Sequence, residues 1–436
     1  MVFSVTDDQQ RRQPSRLPVG GQFATTTKTE TGTTVSPALF WPAVDWEELA
    51  WKSSLPPDRL SRATREEMAD PYRAAIVPDI ADLEVRLPRQ TAALAEEASV
   101  LIRDFDREAA GQLPFAAGLL GTESAASSRI ERITADAQQV ALAELGEDAK
   151  RNATLIVGNV HAMQAAIEMS DVVNGDTILA MHRALLERTD PAIAGKWREE
   201  QVWIGGGAHS PHRALFVPPA AHRVSSAIDG LTAFAAREDI PALAHAAITH
   251  AQFETIHPFP DGNGRTGRAL VHAVLRKRAL TRSVTVPVSA GLLVDTRGYF
   301  AALSAYRQGD PAPIVDAMSA AAFSAIANGR TLVTELQVAK GGWVSQLKAR
   351  SDSAVWPLMD LVLRQPVVNT TVVQAQLGVS HTNAMKAIGR LVEIGALAEV
   401  GGRRRSILWQ ASEVLGALDG FAERAGRRWL GQPAEE

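Results

Sequence analysis

Residues 257–268 read HPFPDGNGRTGR and gather one imidazole, one carboxylate, one amide, three glycines and two guanidinium groups. These types suit the handling of a phosphate ester. An imidazole with an unperturbed pKa near ~6.5 can take a proton at neutral pH. A hard divalent cation prefers a carboxylate such as Asp261. Glycines reach φ > 0 and let backbone approach a ligand, so Asp261-Gly262-Asn263-Gly264 can turn its N–H groups inward as an anion nest. Arg265 and Arg268 are three apart and can face that nest from the first turn of a following helix.

Two commoner phosphate and metal motifs fit poorly. Gly262 to Gly267 has the glycine spacing of a P-loop, but Arg268-Ala269 stands where Lys-Ser/Thr is required. Asp261-Gly262-Asn263 begins like a calcium loop, but Arg265 occupies a ligand position.

The elements that must position these groups are mainly helical. PALAHAAITHAQFETI (241–256), with Pro241 at its first position, and GRTGRALVHAVLRKR (264–278) predict helices on either side of the motif. Upstream, residues 83–106 read as an amphipathic helix with Leu94, Ala98, Leu101 and Phe105 on one side. Residues 124–145 and 152–173 read as further helices, and another starts after an Asp176 N-cap. Residues 199–219, EEQVWIGGGAHSPHRALFVPP, predict a β-hairpin with arms Gln201–Ile204 and Ala214–Val217.

With 436 residues, 46% of them hydrophobic and 22% charged, the chain suits a globular protein of two or three domains. It has no cysteine, which excludes disulfides and thiolate chemistry and favours a reducing cytoplasmic setting. A net charge of −4 argues against wholesale coating of nucleic acid. There is no apolar run long enough for a spanning helix, so no membrane is expected. The organisation expected is a disordered tail over 1–38, a helical region over 39–120, a core over 121–337, a linker over 338–352 and a C-terminal domain over 353–436.

The motif resembles the signature of the Fic family, H-x-F-x-D/E-G-N-G-R-x-x-R, at every defined position. The similarity runs from about Leu55 to Leu336, because the SSxIE segment and the QVWIGG…AxFVPP hairpin match as well. It implies a helical core and AMP transfer from ATP to a Ser, Thr or Tyr hydroxyl of a target protein. UTP, GTP or a phosphocholine nucleotide as donor is the variant reading. Carried over residue by residue, His257 is the general base and Asp261 holds Mg²⁺. Gly262, Asn263 and Gly264 form the anion hole. Arg265 and Arg268 neutralise the outer phosphates, with Thr266 and Gly267 between them. Phe259 anchors the loop. Tyr299 and Phe300 fall where the family has aromatic residues beside the nucleotide. The hairpin becomes a flap on which the target lies as an added strand, lined by Trp203, Ile204 and Phe216.

SAASSRIERI places Ser127 and Glu131 four apart on one helical face. It is similar to the family's inhibitory motif, whose glutamate pairs with the second arginine of the signature, here Arg268. Arg132 departs from that motif, which has Gly or Asn there. The resemblance therefore implies an autoinhibited enzyme.

Residues 353–410 predict three short helices and a hairpin, a pattern that resembles a winged helix-turn-helix. Lys386, Arg390 and the run Arg403–Arg405 would suit DNA phosphates, while Glu393 and Glu399 dilute the charge. DNA binding, protein docking and homodimer formation stay open for this module. The alternative for the whole chain is a DNA-binding regulator with a nucleotide-sensing core.

Overall fold

A computed structural model describes residues 41–52, 61–110, 113–147, 150–206, 209–401 and 407–426. The tail 1–38 and the basic run Arg403–Arg405 lie outside these described residues. The fold is mainly α. In chain order it runs β1 (Asp45–Leu49), α1 (Arg62–Ala69), β2 (Tyr72–Ile76), α2 (Arg89–Ala110), α3 (Leu113–Ile130), α4 (Ala137–Glu144), α5 (Arg151–Glu168) and α6 (Gly175–Leu186). It continues with α7 (Val224–Ala235), α8 (Ala242–Ile256), α9 (Asn263–Lys277), α10 (Val288–Leu292), α11 (Thr296–Arg307) and α12 (Ala312–Gln346). The C-terminal part holds α13 (Val355–Arg364), β3 (Val367–Asn369), α14 (Thr370–Leu377), α15 (His381–Glu393), β4 (Ala398–Val400), β5 (Leu408–Gln410) and α16 (Ser412–Gly426).

Helix α8 is the axis of the core. From Leu243 to Ile256 every residue is buried, so it has no solvent face and is packed by α7, α9, α11, α12 and α2. Its polar residues therefore need internal partners. His245 contacts Phe234 O at 2.9 Å, and Gln252 donates to Pro78 O at 2.8 Å and accepts from the Tyr306 hydroxyl at 2.8 Å. Pro241 stands at the N-cap of α8 rather than inside its first turn, with an extended ψ of 131°.

Several expectations change. The region expected to be helical over 39–120 holds a two-stranded antiparallel sheet, β1 with β2, registered Asp45 to Ile76 and Leu49 to Tyr72. On α2 the core face is Ala95, Ala98, Ile102 and Phe105; Leu94 and Leu101 lie at its margin, about one residue round from the face predicted. The N-cap of α6 is Asn174, in a reciprocal capping box with Thr177, while Asp176 sits in the first turn. The hairpin is reduced, among the described residues, to one antiparallel bridge between Ile204 and Phe216. Its second arm leans on the sheet instead, Ala75 N donating to Val217 O at 3.0 Å.

The domain boundaries are also less sharp than drawn. Helix α3 runs through the division at 120/121, and α12 runs unbroken to Gln346, through half of the supposed linker 338–352. In the C-terminal part, α13, α14 and α15 accompany a three-stranded sheet of order β3-β5-β4. Asn369 and Ser380 cap α14 and α15 through Val372 N and Asn383 N. The last helix, α16, returns to pack on α12 and α3.

The end of α3 has consequences for the site. Ser127 lies in its last turn, whereas Glu131 lies just past it. Ile133 N donates to Ser128 O at 3.0 Å and Arg132 N to Arg129 O at 2.9 Å, the two bonds of a Schellman stop. Arg132 is the residue that must turn left-handed, with φ 62°. Glycine or asparagine takes that conformation with less strain, which gives the departure at Arg132 a physical meaning. Arg132→Gly should stabilise the chain by about 1 kcal/mol, seen as a higher Tm in thermal melts. A lower Tm would contradict this account of the turn.

Candidate active site

The loop between α8 and α9 is made by two left-handed residues. His257 ends α8 at φ 49° and ψ 62°, its N–H bonded to Phe253 O at 2.9 Å. Gly262, at φ 79°, turns the chain into α9. Asn263 closes the loop on itself: its Oδ1 accepts from Phe259 N at 2.9 Å and its Nδ2 donates to Phe259 O at 2.8 Å. Its side chain is thus a staple, and only its backbone N–H is left for an anion. Phe259 is wholly buried, stacked on His182 at 3.7 Å and near Trp197 at 4.9 Å.

Two residues outside the motif hold this loop, and the sequence reading did not single them out. His182 Nδ1 accepts from Gly195 N at 3.0 Å, so its Nε2 carries the proton that meets Asp261 O at 2.9 Å. Buried Arg198 donates to His257 O at 2.8 Å and to Glu200 O at 3.1 Å, and its own N–H bonds to Pro258 O at 3.0 Å. A histidine and an arginine with no local pattern give no signal in sequence. Their meaning comes from burial, which obliges them to find partners.

The N-terminus of α9 has no side-chain cap, and the N–H groups of its first turn lack partners within the helix, as at any helix start. Arg265 beside it is only 3% exposed. Its Nη2 lies 3.3 Å from Asp261 Oδ2, while Nε and Nη1 are buried with no partner among the described residues. A guanidinium so placed fits an anion. Asp261 is 68% exposed and free to face a bound cation. Among the described residues no cluster of three or more His, Asp or Glu could hold a metal unaided. Thr266 is buried, and Gly267 allows α9 to cross α8, because a Cβ there would come 2.8 Å from Glu254 Oε1.

Arg268 is directed elsewhere. Its Nε donates to Ser127 Oγ at 2.9 Å, and its Nη2 to Ser127 O and to Glu131 Oε1, both at 2.8 Å. Glu131 Oε1 lies against Gly264: a Cβ on Gly264 would be 2.0 Å from it. The carboxylate therefore occupies the ground over the α9 N-terminus that a phosphate would need. A second tie joins the same helices. Buried Glu123 of α3 meets His272 Nε2 of α9 at 2.8 Å and accepts from Ser289 N at 2.8 Å.

His257 has its Nδ1 3.8 Å from Glu254 Oε2 and without a hydrogen-bond partner among the described residues. Burial first, then the charges of Arg307 and Arg198, lower its pKa to about 3, so the ring is neutral at pH 7. Tyr299 is buried, its hydroxyl 2.7 Å from His250 Nε2; Phe300, its neighbour, is 49% exposed. On the flap, Phe216 is buried under the Arg307 guanidinium at 3.9 Å and Trp203 packs on Trp51 at 5.4 Å. Both rings thus support the flap from beneath, with Ile204 at the bridge. Beyond the loop, Lys386 of α15 is exposed, but Arg390 is engaged by Lys348 O at 2.5 Å.

Burial also lowers His182 and His245 to about 4 and His250 to about 3. Between pH ~6.5 and ~4 these rings and His257 stay neutral in the folded chain while their unfolded counterparts bind protons, so stability falls with pH. Glu254 and Glu144, both raised to about 7 by burial, act with the opposite sign. Four imidazoles outweigh two carboxyls. The Tm should therefore drop as pH falls from 6.5 to 4.5, measured by calorimetry; a rise over that interval would refute the neutral-histidine account.

No helix among the described residues is long and apolar enough to cross a membrane. Residues 172–275 match the Fic/DOC family. The chain is 34% identical over 149 residues to the protein adenylyltransferase fic-1 of Caenorhabditis elegans, covering 33% of this chain and 26% of that protein. It is 30% identical over 153 residues to the protein adenylyltransferase Fic of Nematostella vectensis, 34% of this chain and 32% of that one. The chain thus spans between a quarter and a third of these relatives' length. A Fic family protein of Desulfovibrio desulfuricans aligns in structure with a TM-score of 0.47 at 20% identity, over 75% of this chain and 97% of that one. The loop of His257 to Arg268 and the helices around it lie in or beside the matched segment, and the chain carries a Fic/DOC-family domain at residues 172–275.

Proposed function

We propose that the chain is an autoinhibited protein adenylyltransferase, moving AMP from ATP to a Ser, Thr or Tyr hydroxyl of a target protein. The observation that carries the reading is Arg265, buried with two guanidinium nitrogens unpartnered among the described residues, beside an uncapped helix N-terminus and a neutral histidine. A phosphate chain answers all three. The relatives named as protein adenylyltransferases support the choice of chemistry.

In this mechanism His257 takes the proton of the target hydroxyl as its oxygen forms a bond to the α-phosphorus. The bond from that phosphorus to the bridging oxygen breaks, and pyrophosphate leaves with the electron pair. The N–H groups of Asn263 and Gly264 and the Arg265 guanidinium hold the phosphate oxygens and stabilise the developing charge. Asp261, 68% exposed with Oδ2 near Arg265, is the carboxylate that would hold a Mg²⁺ there. Such an ion would screen phosphate charge. Arg198 and His182 act by holding the loop in shape.

The clasp of Ser127 and Glu131 on Arg268 is the brake. It withholds one guanidinium and places a carboxylate in the anion nest, so ATP must displace a like charge to bind productively. The C-terminal module is not needed for this chemistry, and its Arg390 already donates to Lys348 O.

With α-labelled ATP, Glu131→Gly should raise label incorporation into protein at least ~tenfold, and adding His257→Ala should abolish it, as loss of a general base costs on the order of a hundredfold or more. Equal labelling by wild type and Glu131→Gly would sink the brake. Incorporation from γ-labelled ATP alone would sink AMP transfer.

A further inference from the structure

The brake sits on one face of α3, and the opposite face of that helix is incompletely packed. Behind it lies a cavity of about 580 Å³ between α3, α4, α5, α13 and α16. Small residues of α3, among them Gly121 and Ala125, form one wall. Val157 of α5, Leu361 of α13, and Leu418 and Phe421 of α16 form others. This volume is within the range of sites that enclose drug-sized molecules, ~300–1,000 Å³.

Its polar rim carries Arg129, Arg364, Asp419 and Glu144, partly engaged by the protein: Arg364 Nε donates to Asp360 O at 3.3 Å. Arg129 Nη1 already donates to Ala422 O at 2.9 Å, and Asp419 Oδ1 accepts from Ala137 N at 3.0 Å. Glu144 borders the cavity with an exposed side chain, and crowding by protein raises its carboxyl to about 7. His161, lowered first by burial and then by Arg188, is neutral. The apolar wall selects a mainly apolar ligand, with the polar rim left to hydrogen-bond its edge.

We propose that this cavity binds a mainly apolar small molecule that hydrogen-bonds its rim, and that its occupancy holds α3 where Ser127 and Glu131 grip Arg268. The cavity is formed while the clasp is closed, so a molecule that fits it stabilises the closed arrangement by binding it preferentially. Arg129 joins the two features: it follows the clasp residue Ser127 by two positions and is bonded to the α16 carbonyl of Ala422. The consequence for catalysis rests on the brake described above, whereas binding itself does not.

The test uses the full chain and the neutral fluorescent amine N-phenyl-1-naphthylamine, without ATP. Saturable enhancement with a Kd on the order of 1–10 µM is expected. Ala125→Trp on α3 and Leu418→Trp on α16 should each weaken binding by about tenfold or more, and Val392→Trp on the exposed side of α15 should not. The probe should also slow amide hydrogen exchange over residues 124–133, with no change over 296–307. Non-saturable fluorescence, or wild-type affinity in both cavity variants, would overturn the site. Saturable binding with unchanged exchange over 124–133 would overturn its link to the brake. Tenfold tighter binding by Trp429→Ser would assign the cavity to the chain's own C-terminus and overturn the proposal. None of these readouts involves AMP transfer, so their failure is distinct from failure of that reading.

Discussion

A guanidinium taken almost wholly out of water must be matched, and the match found by Arg268 organises this molecule. Only 2% of Arg268 is exposed, a placement that costs several kcal/mol unless charge and hydrogen bonds answer it. Ser127 supplies a hydroxyl and a carbonyl, and Glu131 supplies the charge. Because these come from α3 and the guanidinium from α9, the match fixes how the two helices lie. The Glu123 pair with His272 and Ser289 repeats the tie farther along. Asn159 of α5 pins α3 from another side through Ser124 O and Ser128 Oγ. The clasp on Arg268 is therefore a packed helix end rather than a loose loop.

The loop beside the end of α3 depends on a different constraint, the need to turn a fully buried helix into another within a few residues. Left-handed geometry at His257 and Gly262 makes the turn, and Phe259 anchors it between His182 and Trp197. Asn263, Arg198 and His182 then tie down the carbonyls that the turn leaves unpaired. The outcome is an exposed Asp261 and an uncapped helix N-terminus held on a rigid base.

The C-terminal part bears on the site through packing. The long α12 carries no break between the parts, and α16 folds back so that its carbonyl at Ala422 meets Arg129. The end of α3 is thus held by α9 on one side and approached by α16 on the other. Changes in either can be felt at Arg268, since both touch the same last turn.

The pairing of Glu131 with Arg268 is expected only from the family resemblance; the sequence by itself determined the helical class and the loop between two helices. Those features are written locally, in glycines, caps and spacing, or in a motif whose residues are contiguous. It misjudged the face of α2 by about one residue, took Asp176 for a cap that Asn174 provides, and overstated the flap, whose arm leans on β2. It passed over β1 and β2 because short strands seldom outweigh helical periodicity. Only the tertiary structure decided that His182 and Arg198 hold the loop, that Asn263 is a staple, that Arg265 has no protein partner at two of its nitrogens among the described residues, and that Arg132 sits at a left-handed stop. The reason is physical: a buried polar group takes its role from whatever partner burial forces on it, and that partner can lie 137 residues away, as Glu131 does from Arg268.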